Sequence, residues 1–309
     1  MANRKYGKCH KCLGWVPADD PTCPHCGAEQ SLLASLMAGA RRAGKGAQQS
    51  VSGSDSPFEN VSTLLLGALF VMFAIPIVAL ARHPDFHIAA YLLGADTVPP
   101  TLLGALTKGP FHHTGYGPDG GPDIGCDTFV DHQYWRLIAG VFLHHGIIHL
   151  GFNCSALATL GPKIQRFYGP GFLMFLFVAT GALGFVVTYV AYADRVLSAG
   201  ASGAIFGLIG TGMASAFRAG DRHELRTYAS WLIGSVLISL FAPINNWAHF
   251  GGLVGGLLFG YLVPEHRVPV YPALQRLGTV LGVLATIAVF VSLYFAAEFA
   301  QLALAAAQP

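Results

Sequence analysis

Charge is what this chain has least of. Only 11% of its 309 residues are Asp, Glu, Lys or Arg, while 53% are hydrophobic and the mean hydropathy is +0.51. Soluble domains carry roughly a quarter charged residues, so the composition excludes an ordinary soluble globular protein and points to a polytopic membrane protein. The first thirty residues hold no apolar run, so no amino-terminal secretory signal peptide is expected. Further absences restrict the chemistry. The His144-His145-Gly146-Ile147-Ile148-His149 stretch lacks the H-E-x-x-H pattern of a zinc protease. No Asp pair lies within the apolar runs, which argues against an aspartyl mechanism. Gly200-Ala201-Ser202-Gly203-Ala204 departs from a G-x-S-x-G nucleophile elbow, and no strand is predicted before it. The apolar runs also lack the charges expected along an ion pathway, which disfavours a transporter.

What the chain does contain is a series of apolar runs near the roughly 20 residues needed to cross a bilayer. Seven are predicted, over 62–81, 140–160, 171–192, 201–217, 228–242, 247–263 and 278–298. Counting on alternate sides, fourteen Lys and Arg fall on the amino-terminal side and four on the other. By the positive-inside rule the amino terminus is expected in the cytoplasm and the carboxyl terminus outside. An integral protein of a bacterial cytoplasmic membrane is the expected setting.

Residues 1–30 form a polar module with Cys9, Cys12, Cys23 and Cys26. Two C-x-x-C knuckles suit a tetrahedral four-thiolate zinc site, and metal binding supplies the folding energy that so short a segment lacks. A disulfide pair is the alternative, disfavoured in a cytoplasmic setting. His10 and His25, between the thiols, are read as solvated or supporting groups. A closed zinc site has no open position for chemistry, so a protein-interaction or regulatory role is expected, with a cytoplasmic protein partner. Nucleic acid is disfavoured, resting only on Arg4, Lys5, Lys8 and Lys11. Residues 31–57 then read as an amphipathic stalk or inner-leaflet helix followed by a flexible linker.

The connection over 82–136 is long, and connections of that length tend to be functional or disordered. Its first half, Ile88 to Leu106, is apolar enough to dip into the membrane interface, and Gly109–Asp131 is rich in Gly, Pro and Asp. His112, His113 and Cys126 show no ligand spacing. Trp135-Arg136 closes the connection, with a ring suited to the headgroup level and a guanidinium suited to a phosphate or a backbone carbonyl.

Four of these features bear on catalysis. With the amino terminus inside, Ser202 and His249 begin two runs that enter from the same side, at similar depth. Serine becomes a useful nucleophile when an imidazole lies within hydrogen-bond reach. His149 and Asn153, at i and i+4, share a helix face and can aim donors at one point, as a developing oxyanion requires. Gly203-x-x-x-Gly207 and Gly252-x-x-x-Gly256-x-x-x-Gly260 offer smooth helix faces for close approach in lipid. Taken alone, that glycine pattern is better explained by packing, with Ser202 a packing residue and His249 an interhelical bridge; polar groups within spans, which are costly and usually functional, weigh against that reading. No carboxylate is placed to orient His249, so any catalytic unit is a dyad.

On these residues the sequence resembles the rhomboid intramembrane serine proteases from about Leu64 to Leu262. The match runs through Trp135-Arg136, His144-x-x-x-x-His149-x-x-x-Asn153, Gly200-Ala201-Ser202-Gly203 and Ala248-His249-x-x-Gly252-x-x-x-Gly256. The resemblance implies an all-α six-helix catalytic core over 58–264. The ribbon precedes it, and 265–309 adds a linker and a seventh membrane helix. It implies Ser202 as nucleophile and His249 as general base and then acid, with no cofactor for catalysis. It implies an oxyanion hole from the Ser202 N–H, His149 and Asn153, an aromatic at Phe206 against the imidazole, and a structural part for His144. His145 is an additional histidine with no assigned part. Gln165 stands where the family often has Glu, and Gly109–Asp131 resembles an insertion. The implied substrates are single-span membrane proteins cut near the outer face, whose helix must unwind before attack. A rhomboid-like chaperone or adaptor without activity is the competing expectation.

Overall fold

The computed structural model describes residues 6–8, 15–17, 60–80, 86–95, 102–108, 127–193, 196–239, 244–265, 268 and 271–306. The chain divides into two compact units, Met1–Asp55 and Ser56–Pro309. In the first, strands β1 (Tyr6–Lys8) and β2 (Trp15–Pro17) pair antiparallel, with Gly7 opposite Val16. The expected zinc ligands Cys9, Cys12, Cys23 and Cys26, the stalk and linker over 31–57, and residues 109–126 of the long connection lie outside the described residues.

The second unit is helical. Its helices are α1 (Val61–Ala79), α2 (Ile88–Leu93), α3 (Arg136–Phe142), α4 (Gly146–Tyr168), α5 (Pro170–Ala191), α6 (Ser202–Ala219), α7 (Arg222–Ser239), α8 (Asn246–Leu262) and α9 (Pro272–Ala306). Among the described residues α1, α5 and α9 are long and apolar enough to cross a membrane singly, and the bent pair α3 and α4 makes a fourth. Local chemistry marks the boundaries. The Asn60 side chain accepts the Thr63 N–H at the start of α1. Gly169, at φ +86°, reverses the chain after α4, and Pro170 opens α5 where its missing N–H costs nothing.

The run expected over 140–160 is not one helix. α3 and α4 meet at 90°, separated by Leu143 to His145. Gly146 explains the break. It has φ +82°, and a Cβ there would sit 2.7 Å from the Gly94 nitrogen and 2.9 Å from the Leu92 oxygen. Only a residue without a side chain fits that conformation and that approach. His144 and His145 therefore precede the second helix instead of lying within it. The apolar first half of the long connection likewise folds as α2 and as β3 (Leu106–Lys108), which pairs antiparallel with β4 (Val196–Ser198). That pairing ties the connection to the segment that leads into Ser202.

α6 is the central helix, with nearly every residue from Gly203 to Ala216 buried. Its Ile205, Leu208 and Ile209 join Leu157, Leu160, Leu173, Leu176 and Phe177 in the core. α7 lies at the margin, and only its Tyr228 is buried, over Gly212 of α6. α6 and α8 run parallel in close backbone contact. A Cβ on Gly252 would meet the Gly203 oxygen, one on Gly256 the Gly207 oxygen, and one on Gly260 the Thr211 oxygen at 2.6 Å. Each pair is one turn further along both helices. The small-residue faces thus meet in register, as small-xxx-small packing in lipid requires. Thr211 adds a bridge, its hydroxyl donating to Gly207 at 2.9 Å and to the Gly256 carbonyl at 3.2 Å.

Candidate active site

Ser202 is the first residue of α6 and is partly exposed, ahead of the buried run that begins at Gly203. The first bond into the helix runs from the Ile205 N–H to the Ala201 carbonyl at 2.9 Å. The N–H groups of Ser202 and Gly203 therefore stand at the unsatisfied, electropositive end of the helix. Immediately upstream, Gly200 holds φ +138° and donates its N–H to the Gly140 carbonyl at 2.9 Å. A Cβ on Gly200 would fall 2.6 Å from His149 Cε1 and 2.9 Å from Nε2. The missing side chain lets the imidazole lie against the backbone two residues before the serine.

His249 sits in the first turn of α8 and is 7% exposed. Its ring stacks on Phe206, with centroids 4.0 Å apart and planes within 10°. Phe206 is one turn after Ser202, and Gly203 lies against the Ala248 carbonyl, with its Cβ position 3.3 Å from that oxygen. The immediate sequence neighbours of Ser202 and His249 are thus in backbone contact at the head of two parallel helices.

The sequence reasoning missed what fixes the head of α8. Asn245 caps it, its side-chain oxygen accepting the Ala248 N–H at 3.1 Å. Its amide donates to the Thr188 hydroxyl of α5 at 3.0 Å and to the Ser198 hydroxyl of β4 at 2.9 Å. One side chain therefore joins the helix bearing His249, α5 and the strand leading to Gly200. An Asn ahead of an apolar run is an N-cap signature, so the cap itself was readable.

On α4, Asn153 is buried and donates to the His149 carbonyl at 3.0 Å. An amide nitrogen carries two donors, so one remains for another acceptor. His144 is 1% exposed and packs edge-on to His149, at 5.1 Å between centroids. The unassigned His145 lies parallel to His149, with centroids 6.4 Å apart and planes within 3°. Among the described residues no three His, Cys, Asp or Glu side chains are grouped to hold a metal.

Trp135 is half-buried at the start of α3. Arg136 is fully buried and donates from Nε to Gln133 Oε1 at 2.6 Å and from Nη1 to the Ala105 carbonyl at 3.1 Å. Of the two acceptors expected for the guanidinium, the backbone carbonyl is the one engaged. Gln165 is half-buried, and its Oε1 accepts the Ser62 N–H at 3.1 Å. A neutral amide oxygen can accept that bond in place of a carboxylate.

The sequence is similar to known proteins. A Rhomboid domain matches residues 131–266, which hold His144, His149, Asn153, Ser202, Phe206 and His249. The protein named "Putative rhomboid protease YdcA" from Bacillus subtilis (strain 168) is 35% identical over 142 residues, covering 44% of this chain and 70% of YdcA. The chain belongs to the rhomboid family. This rhomboid is also 37% identical over 129 residues to rhomboid protease GluP of the same strain, covering 40% of the chain and 25% of GluP. RHOMBOID-like protein 9, chloroplastic, of Arabidopsis thaliana is 29% identical over 142 residues, covering 44% of the chain and 32% of that protein. The chain therefore spans a quarter to a third of the length of these two relatives. Family and apolar helices together make this rhomboid an integral membrane protein.

Proposed function

We propose that this rhomboid is an intramembrane serine endopeptidase working through a Ser202-His249 dyad. The observation that carries the reading is the Phe206–His249 stack on two parallel helices in backbone contact, which holds the imidazole on the face where Ser202 begins α6. In the proposed reaction His249 takes the Ser202 hydroxyl proton as Oγ attacks the scissile carbonyl. The carbonyl oxygen becomes an oxyanion, stabilised by the Ser202 N–H at the helix start, the second Asn153 amide hydrogen and His149. Collapse breaks the peptide C–N bond, and His249 gives its proton to the leaving amine. Water, activated by the same imidazole, then releases the acyl group from Ser202.

The finer assignments belong to the same reading. Seven spans with a cytoplasmic amino terminus in a bacterial cytoplasmic membrane are supported by the lysine and arginine asymmetry. A zinc-binding ribbon over 1–30 is supported by the cysteine spacing, and its proposed task is to recruit or regulate through a cytoplasmic protein. The division into ribbon, stalk and linker, catalytic core over 58–264 and a distal helix follows the same lines. The proposed substrates are transmembrane proteins cut near the outer face after local unwinding.

Purified protein incubated with a model single-span substrate, beside the Ser202→Ala variant, tests the activity. Cleavage by the wild type alone is expected. Equal processing by both proteins would contradict Ser202 as the nucleophile, and processing by neither would favour the chaperone or adaptor alternative.

A further inference from the structure

α9 lies outside the region matched by the Rhomboid domain, yet it holds both members of the Trp135-Arg136 pair. The Ser292 hydroxyl donates to the Trp135 carbonyl at 2.6 Å. Two turns further on, the Phe299 ring stands 4.6 Å from the Arg136 guanidinium carbon and 5.9 Å from the Trp135 ring. The Trp135 ring lies 4.7 Å from the same carbon, so the guanidinium meets two rings that also touch each other. A buried cation against a pair of touching aromatic rings is held in position and orientation. Ser292 and Phe299 are 2% and 9% exposed, whereas the neighbouring Phe290 and Tyr294 are 70% and 61% exposed. One stripe of α9 is thus committed to this pair.

The pair in turn leads to the serine. Arg136 is the first residue of α3, and four residues on, the Gly140 carbonyl accepts the Gly200 N–H. Gly140 is itself fixed by close packing, its Cβ position 2.9 Å from the Phe185 ring and 3.3 Å from the Gly104 oxygen. Gly200 is the residue on which His149 rests. A contiguous path of packed and hydrogen-bonded groups therefore runs from α9 through α3 to the backbone that sets the Ser202 N–H and the His149 ring.

We propose that α9 is a brace for the catalytic centre, with Ser292 and Phe299 as positioning residues that act on Ser202 through Trp135, Arg136 and Gly200; this rests on the serine protease reading. Oxyanion donors work only when held near their productive geometry, and an error of about 1 Å is enough to lower turnover by about a hundredfold. Losing one clamp of several should cost part of that.

The test uses full-length purified protein and measures the rate at which a fluorophosphonate labels Ser202, together with kcat and KM on a model transmembrane substrate. Phe299→Leu keeps apolar bulk and removes the ring from the guanidinium, and Phe299→Tyr restores a ring. About a tenfold fall in labelling rate and kcat is expected for Phe299→Leu and a smaller fall for Ser292→Ala, with KM unchanged and Phe299→Tyr near wild type. Gly278→Ala, which crowds the Phe172 ring far along α9, separates bracing from general loosening. Wild-type labelling rates in both Phe299→Leu and Ser292→Ala overturn the proposal. So does an equal fall in Phe299→Tyr or Gly278→Ala. Absence of any Ser202-dependent labelling in the wild type overturns the protease reading itself, and the brace with it.

Discussion

The Phe206 ring lies parallel to the His249 imidazole, 4.0 Å away, one turn below the residue that begins α6. A ring on one helix thus sets the plane of an imidazole on the other. The contact ties the position of the proposed base to the helix that carries the proposed nucleophile, so a shift of either helix is felt by both.

Removing that ring should therefore lower turnover more than stability. A stacked aromatic pair is worth about 1 kcal/mol beyond its buried area, which corresponds to roughly a fivefold to tenfold change in rate if spent on orienting the base. Phe206→Leu is expected to reduce kcat by about that factor and Phe206→Tyr to leave it nearly intact. Steady-state cleavage of a transmembrane substrate measures both.

The glycine contacts between α6 and α8 predict a position-specific loss of stability. A Cβ at Gly252 or Gly256 meets a backbone oxygen that no rotamer change can move. Gly252→Ala and Gly256→Ala are each expected to cost about 1–3 kcal/mol by overpacking. Gly151 has nothing within 4 Å of its Cβ position, so Gly151→Ala should leave the thermal midpoint unchanged or slightly raised. Thermal unfolding in detergent separates the three.

Asn245 offers a test of how α8 is anchored. Asn245→Ala removes the cap and both donations, and should cost about 2 kcal/mol with a parallel loss of activity. Asn245→Asp keeps the capping oxygen and loses the two donors to Thr188 and Ser198. An intermediate loss is expected for it, read from the thermal midpoint and kcat side by side.

Binding of about one zinc per chain is expected for the amino-terminal module, because four thiolates close a tetrahedral site. Paired Cys9→Ser and Cys12→Ser substitutions should abolish it while Ser202-dependent cleavage of a soluble-domain-free substrate persists. Elemental analysis of the purified proteins reads the metal, and a wild type without zinc would contradict the ribbon.

What was legible in the sequence follows from how local each constraint is. The glycine faces could be read because only close helix contact in lipid calls for such spacing, and the structure pairs Gly203 with Gly252 and Gly207 with Gly256. The break at Gly146 could not, because a glycine after two histidines does not by itself mark a positive φ, and the approach of Gly94 that requires it comes from a distant segment. β3 and β4 were hidden by their length, three residues each, too short to show alternation. The cap at Asn245 was readable, but its two further bonds depend on α5 and β4 arriving beside it. The hold of Ser292 and Phe299 on Trp135 and Arg136 spans more than 150 residues of sequence and has no local sign.

The measurement that bears most directly on the central claim is peptide mapping by mass spectrometry after treatment with a fluorophosphonate. The account predicts one adduct, on the peptide containing Ser202, formed by the wild type and lost in His249→Ala. An adduct elsewhere, no adduct in the wild type, or labelling of Ser202 at an undiminished rate without His249 would contradict it.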